Sequence, residues 1–299
     1  MRILTLAGIL LWASLAVAQP PGAPSLVTPA QLEPMLADPG LVLLHVGDKA
    51  GYDAEHLPGA RHIETRALAA APQQGGLTLQ LPLPADLEAK LEALGIGDTS
   101  RIVLYMGKDW VSPLTRIVFT LDYAGLGAKT MVLDGGMPAW KAAGKAVTMD
   151  VPGAPAPGSL TITPRAEAVA DLAWVQSHAG TPGSVVIDAR NTEFYTGENS
   201  SNGRIPRPGH VAGAVSLPYT SFVREDGTFK PRAELEAMLK AAGAGPGASI
   251  ATYCHIGQQA TVPYFVARML GYDVRLFDGS YEEWARTESA PVKTGSAPE

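Results

Sequence analysis

The chain has 299 residues and a formal net charge of −6, and only 17% of its residues are charged. A mildly acidic, charge-poor surface argues against nucleic acid or an anionic membrane surface as a partner. At roughly 100–200 residues per domain, the length suits about two domains.

In chain order, the first element stands outside the fold. MRILTLAGILLWASLAVA has a basic Arg2, an apolar run from Ile3 to Val17 and the small-x-small pattern Ala16-Val17-Ala18. That pattern predicts a signal peptide cleaved after Ala18. The run is short for a spanning helix, and a Pro/Gly-rich stretch follows it, so no membrane anchor is expected. Gln19 in place of Cys also speaks against a lipid anchor. The expected location is the periplasm. Loss of these 18 residues, Arg2 among them, leaves 281 and takes the net charge from −6 to −7.

The remaining elements come in two matching sets. LVLLHV, RIVLYM and TMVLD read as strands in the first half, and SVVIDA, SIATYC and VRLFD in the second. The segment Leu41 to Ile63 matches Ser184 to Leu217, each with an apolar run, an aromatic and then His-x-x-Gly-Ala. RIVLYMGKDW matches SIATYCHIGQ, and VLDGGMPAW matches LFDGSYEEW. Ordered, collinear similarity of this kind is an internal repeat. A Pro/Gly-rich linker at 148–163 separates a first domain at 25–147 from a second at 164–290. After Cys254 the apolar positions Val262, Phe265, Val266, Met269 and Leu270 form one helical stripe, with Gly271 where a C-terminal cap belongs. Strands separated by helices predict an α/β fold: two tandem domains, each a parallel sheet with helices on both faces. Ligands in such folds gather beyond the carboxyl ends of the strands.

Cys254 stands at that address and is the single cysteine of the chain. It cannot form a disulfide within the chain, so it is either a reagent or a small buried hydrophobe. The sequence behind it, His255-Ile256-Gly257-Gln258-Gln259, joins a strand to a helix. Gly257 permits a tight backbone path, and the helix start near Gln259 leaves amide N–H groups unpaired. Together they make an anion cradle at the positive end of a helix dipole. Free cysteine has a pKa near 8.5, and such positions lower it to about 3.5–7.5. A drop of ~2 units corresponds to about 2.7 kcal/mol in favour of the thiolate. A thiolate at the open mouth of the cradle is therefore expected.

Taken with Asp188-Ala189-Arg190, Pro208 to Ala214, Tyr253-Cys254 and its loop, and Asp278-Gly279 with Trp284, the mature chain resembles the tandem-domain rhodaneses of the exported bacterial type. These are thiosulfate or 3-mercaptopyruvate sulfurtransferases with a non-catalytic first domain and a catalytic second one. Alignment of the two copies sets Met106 opposite Cys254, and a thioether cannot carry a persulfide. The resemblance implies a ping-pong exchange. The Cys254 thiolate takes the outer sulfur of an anionic donor such as thiosulfate, and a thiophilic acceptor, cyanide or a thiol, removes it. Neither a metal nor an organic cofactor is implied, and six scattered histidines with one cysteine give no ligand cluster.

By the same resemblance, His255 either adds positive charge beside the sulfur or is a solvated loop imidazole. Gln258 and Gln259 either donate to an anionic donor or cap the helix. Among Arg190, Arg204 and Arg207, Arg207 is favoured as the fork for the donor, with Arg190 as a structural partner of the loop. Relatives often carry a substrate-binding arginine shortly after Asp-x-Arg, where this chain has Glu193-Phe194. Relatives specialised for 3-mercaptopyruvate tend to carry Cys-Gly-Ser/Thr-Gly, whereas this loop is Cys-His-Ile-Gly, so thiosulfate is the expected donor. His56 and His210, Asp134 and Asp278, and Trp140 and Trp284 recur in both copies, which favours turns and packing over chemistry. A related phosphatase would need Cys-x5-Arg, and position 260 is Ala. A sulfur carrier without turnover, or a redox-sensing binding protein, is the alternative outside that enzyme class.

Overall fold

The computed structural model describes residues 22–108 and 111–298. The segment expected to be a signal peptide lies outside the described residues. Two parallel sheets carry the fold. The first has the order β1-β5-β4-β2-β3, from β1 (Ser25–Val27), β2 (Leu41–Val46), β3 (Arg61–Ile63), β4 (Arg101–Met106) and β5 (Thr130–Leu133). The second runs β6-β11-β10-β7-β9, from β6 (Val169–Ala170), β7 (Ser184–Asp188), β9 (Val215–Ser216), β10 (Ser249–Tyr253) and β11 (Asp273–Phe277). Leu41 pairs with Arg101 in the first sheet as Ser184 pairs with Ser249 in the second. The repeat is thus kept in register as well as in order.

These strands read as near-continuous apolar runs because parallel strands are covered on both faces. Val42, Leu43, Leu44 and Val46 are all buried, as are Ile250, Ala251 and Tyr253. A further ladder pairs β8 (His210–Val211) with β12 (Val292–Lys293), and an isolated His56–Thr148 bridge is its counterpart in the first half. His56 stacks on Tyr52 and His210 on Tyr195, and each ring lies between two backbone carbonyls, one near each nitrogen. Their recurrence has a structural cause. Trp140 and Trp284 are likewise buried, each donating its indole N–H to a backbone carbonyl.

The two sheets share one apolar core. The helices Val111–Tyr123 and Thr261–Leu270 pack against each other at its centre, and eleven of the thirteen residues of the first are buried. A helix buried on nearly every side belongs inside a molecule, not on its surface. At the contact, the Thr115 and Thr261 hydroxyls meet at 2.8 Å. Buried Asp122 accepts from Tyr264 (2.7 Å), Arg268 (2.8 Å) and Arg165 (2.7 Å). The duplicated aspartates add a reciprocal pair of ties. Asp278 accepts the Leu81 N–H at 2.9 Å, and Asp134 accepts the Phe229 N–H at 2.8 Å. The Pro/Gly-rich segment is extended as its composition suggests, yet it is also packed. Leu160 is buried, and the amides of Leu160 and Ile162 donate to Glu92 and Glu88 of the first domain.

Candidate active site

Cys254 follows directly on β10, and its loop is pinned at both ends. The Cys254 N–H donates to Ser280 Oγ at 3.2 Å, while the carbonyls of Cys254 and His255 accept from Tyr281 and Glu282 at 2.9 Å. Ser280 is buried and held at φ 51°, a left-handed conformation uncommon outside glycine. At the far end the Gln258 and Gln259 carbonyls accept from Thr261 and Val262 and lead into the helix. Gly257 sits at φ 77°, which allows the sharp path between them.

A consequence follows for the amides. The N–H groups of residues 255–260 donate to no acceptor among the described residues. In a planar trans peptide each N–H points opposite to the preceding C=O. Anchoring the carbonyls of Cys254 and His255 on the Ser280–Arg286 helix therefore turns the amides of His255 and Ile256 to the other side. Unpaired amides turned to one side in this way can receive an anion.

The second group of charges lies beside it. Arg190 is fully buried, and its guanidinium grips Asp188 through Nε (2.9 and 3.1 Å) and Nη2 (2.5 Å). Nη2 also donates to the Gly209 carbonyl at 2.7 Å, and the plane lies 4.0 Å from the centre of the Tyr281 ring. Nη1 is buried with no hydrogen-bond partner among the described residues. A buried N–H left unpaired carries a desolvation cost that an incoming acceptor removes. Asp188 also accepts from the Tyr253 hydroxyl at 2.6 Å. Burial, reinforced by the Asp188 charge, holds that phenol well above its usual range, so it remains a donor.

Three of the expected roles change in the structure. His255 is pushed down to about 4, first by burial and then by the Arg190 charge, so it is a neutral ring at neutral pH and adds no cation. It meets Phe194 edge-on, with ring centres 4.5 Å apart. Arg207 turns away from the loop, because its guanidinium donates to the carbonyls of Thr287 (2.6 Å) and Ala290. Arg204 is exposed and lines a cleft of about 190 Å³ that reaches the loop at His255 and Ile256. Cys254, expected at an open mouth, is 0% exposed and belongs to the shared apolar core. First-domain side chains reach the segments around it, contacts that the second domain's sequence could not reveal. Gln258 Nε2 reaches Ser112 at 3.3 Å, and Gln80 donates to the Asp278 carbonyl at 3.1 Å.

Sequence reasoning also missed Arg116. This side chain from the Val111–Tyr123 helix is 2% exposed and bonds the Gly257 carbonyl (3.0 Å), Asp278 (2.7 Å) and the Leu79 carbonyl (2.5 Å). An available signal was a lone charge inside the apolar run LTRIVFTL.

A family model for the rhodanese-like domain matches residues 28–143 and again 171–287. The chain belongs to the rhodanese family. It is 32% identical over 274 residues to a thiosulfate sulfurtransferase of Pseudomonas aeruginosa, covering 90% of this chain and 97% of that one. It is also 32% identical over 283 residues to a probable 3-mercaptopyruvate sulfurtransferase of the same organism, covering 90% and 98%. Among solved structures, YnjE superposes with a TM-score of 0.81 at 24% identity, over 91% of this chain and 69% of that one. EanB in complex with hercynine gives 0.76 at 25% identity, over 90% and 69%. This rhodanese is accordingly a sulfurtransferase enzyme built from two tandem parallel-sheet domains.

Proposed function

We propose that this rhodanese moves a sulfane sulfur from thiosulfate to cyanide or a thiol through a persulfide on Cys254. The Cys254 thiolate attacks the outer sulfur of thiosulfate, the S–S bond breaks, and sulfite leaves with the electron pair. Cyanide then attacks the outer sulfur of the persulfide, giving thiocyanate and returning the thiolate. Every charge in the sequence is negative, and the site must hold that charge without water.

The observation that carries the reading is the run of amides at 255–260 with no acceptor among the described residues. The unpartnered Nη1 of Arg190 supports it as a second, charged donor near the loop. Because Cys254 has no exposed surface, the donor reaches it only when the side chains that bury it move apart. The relative named for 3-mercaptopyruvate favours that compound as a second donor, while Cys-His-Ile-Gly favours thiosulfate. We place the reaction in the periplasm, on the strength of the first 18 residues.

Mass spectrometry after thiosulfate treatment tests the reaction type. A single added sulfur on Cys254, removed by cyanide, is expected, and an unmodified Cys254 in a protein that still turns over would overthrow the assignment. Steady-state rates with both donors decide between them, and a higher kcat/KM with 3-mercaptopyruvate reverses the choice. Sulfur accepted once and never released to cyanide or small thiols would point to a carrier.

A further inference from the structure

We infer that Arg116, contributed by the domain without a thiol, is a positioning residue for sulfur transfer: it sets the middle of the Cys254 loop. The inference rests on Cys254 as the sulfur-carrying atom.

The loop's ends are held by its own domain, but its middle is not. The carbonyls of Cys254 and His255 are tied to the Ser280–Arg286 helix, and those of Gln258 and Gln259 to the following helix. The Gly257 carbonyl has Arg116 Nη1 as its donor, at 3.0 Å. By peptide planarity, fixing that carbonyl on Arg116 turns the Gln258 N–H to the opposite side, away from the first domain's helix. Arg116 thus does for the Gln258 amide what Tyr281 and Glu282 do for the amides of His255 and Ile256. Without it, the Gly257–Gln258 peptide has no partner on its carbonyl and is free to rotate at a glycine, where rotation meets little steric resistance.

The guanidinium is itself fixed in place. The same Nη1 donates to Asp278 at 2.7 Å, and Nη2 donates to the Leu79 carbonyl at 2.5 Å. Asp278 takes the Leu81 N–H on its other oxygen. Leu79 is buried with φ 61°, a strained backbone for leucine that these bonds hold in place. The pair is also tightly packed, since a Cβ added at Gly257 would lie 2.9 Å from Arg116 Nη1.

The internal repeat shows that this clamp is one-sided. Thr115 meets Thr261, Asp122 meets Arg268, and Gly125 and Gly271 end the two helices, each pair 146 positions apart. The same spacing sets Arg116 opposite Val262. The arginine reaches across to the loop that holds the thiol. Val262, at the corresponding position of the second domain's helix, has no side-chain donor to offer. A device needed only to join the domains would serve equally from either side, as the reciprocal aspartate ties do.

The test compares Arg116→Met and Arg116→Lys with Arg268→Met in the full chain. Arg268 is another arginine bonded across the interface, but it lies away from the loop. Arg116→Met is expected to lower kcat with thiosulfate and cyanide about a hundredfold with KM changed less than threefold, and Arg116→Lys to recover about tenfold of that loss. Arg268→Met is expected to lose comparable thermal stability while keeping kcat within about twofold at 25 °C. Should Arg116→Met fail to fold, Arg116→Lys carries the test with a loss of about tenfold. A kcat within twofold of the parent in the folded Arg116 variants, or equal kcat losses in the Arg116 and Arg268 variants, would overturn the inference. Cys254→Ser runs in parallel. If it still transfers sulfur, the reading of the nucleophile fails. If it is inactive while the Arg116 variants turn over normally, the inference about Arg116 fails by itself.

Discussion

The two halves of the molecule keep one scaffold and differ in what they bury at the ends of their strands. In each, a tyrosine next to the strand end, Tyr105 or Tyr253, accepts the N–H of Leu57 or Val211 in the His-x-x-Gly-Ala turn. In the second half that hydroxyl donates to Asp188, which in turn holds Arg190. In the first, the register puts His45 where Asp188 stands and Gly47 where Arg190 stands, and His45 Nδ1 lies 3.1 Å from the Tyr105 hydroxyl. The space beside it is a cavity of about 670 Å³ lined by His45, Gly107 and Met137, the counterparts of Asp188, His255 and Tyr281. Scaffold hydrogen bonds are common to the halves, while the ion pair, the thiol and the arginine that reaches its loop serve one side. On the proposed mechanism, the domain without the thiol is still a working part of the site.

The strongest way to break that comparison is to exchange the sulfur atoms. Cys254→Ser is expected to lower transfer by roughly a thousandfold or more, because the hydroxyl cannot form a persulfide, with the thermal midpoint little changed. Adding Met106→Cys to that variant is expected to restore nothing, since the first loop has neither an Arg190 nor an Arg116 counterpart. Thiocyanate production by the double variant would show that a thiol alone suffices.

Arg190 comes next. Replacing it by Met leaves the Asp188 carboxylate buried without its partner, a change that costs about 3–5 kcal/mol in comparable pairs. Denaturant unfolding of Arg190→Met is expected to show a loss of that size, together with a weaker response to thiosulfate. Arg190→Met with Asp188→Asn is expected to recover part of the stability and none of the activity. Recovery of both would reduce the arginine to a structural role.

How much of this was legible beforehand divides along the domain boundary. The repeat, the main strands and the position of Cys254 beyond a strand were all readable, because apolar runs and duplicated motifs are local signals. The burial of Cys254 was not, because the thiol lies in a core built from both domains, and no local pattern encodes which surface meets which. The same limit explains Arg207, whose carbonyl partners at Thr287 and Ala290 lie some eighty residues away. His255 failed for another reason. Burial removes the water a charged ring needs and the Arg190 charge opposes protonation, while Arg190 and Phe194, which the ring meets edge-on, are both distant in sequence.

That histidine gives a pH-dependent difference between the halves, since Gly107 is its counterpart. Its folded value of about 4 lies below the usual 6.5, so the unfolded chain binds more protons between those values and stability falls as pH drops through that window. The loss reaches about 2 kcal/mol by pH 5 and is absent above pH 7. Thermal midpoints of the parent and of His255→Gln, measured from pH 7.5 to 4.5, are expected to diverge only below about pH 6.5, with the variant less acid-sensitive. Parallel curves would mean that the ring is charged, or solvated, in the folded protein.

The smallest effect is expected at Met106, the residue that takes the place of the thiol. It is 7% exposed, and its side chain packs close to Gly136 and Gly227, so its role there is volume. Met106→Leu keeps that volume and is expected to cost less than about 1.5 kcal/mol, with sulfur transfer within twofold of the parent. Cys254 lies in the same apolar core but in the other domain, and the proposed transfer uses no group of the first loop. If Met106→Leu cut kcat tenfold while leaving the unfolding midpoint in place, the first loop would be coupled to the second. The division between a reacting loop and a packing loop would then have to be redrawn.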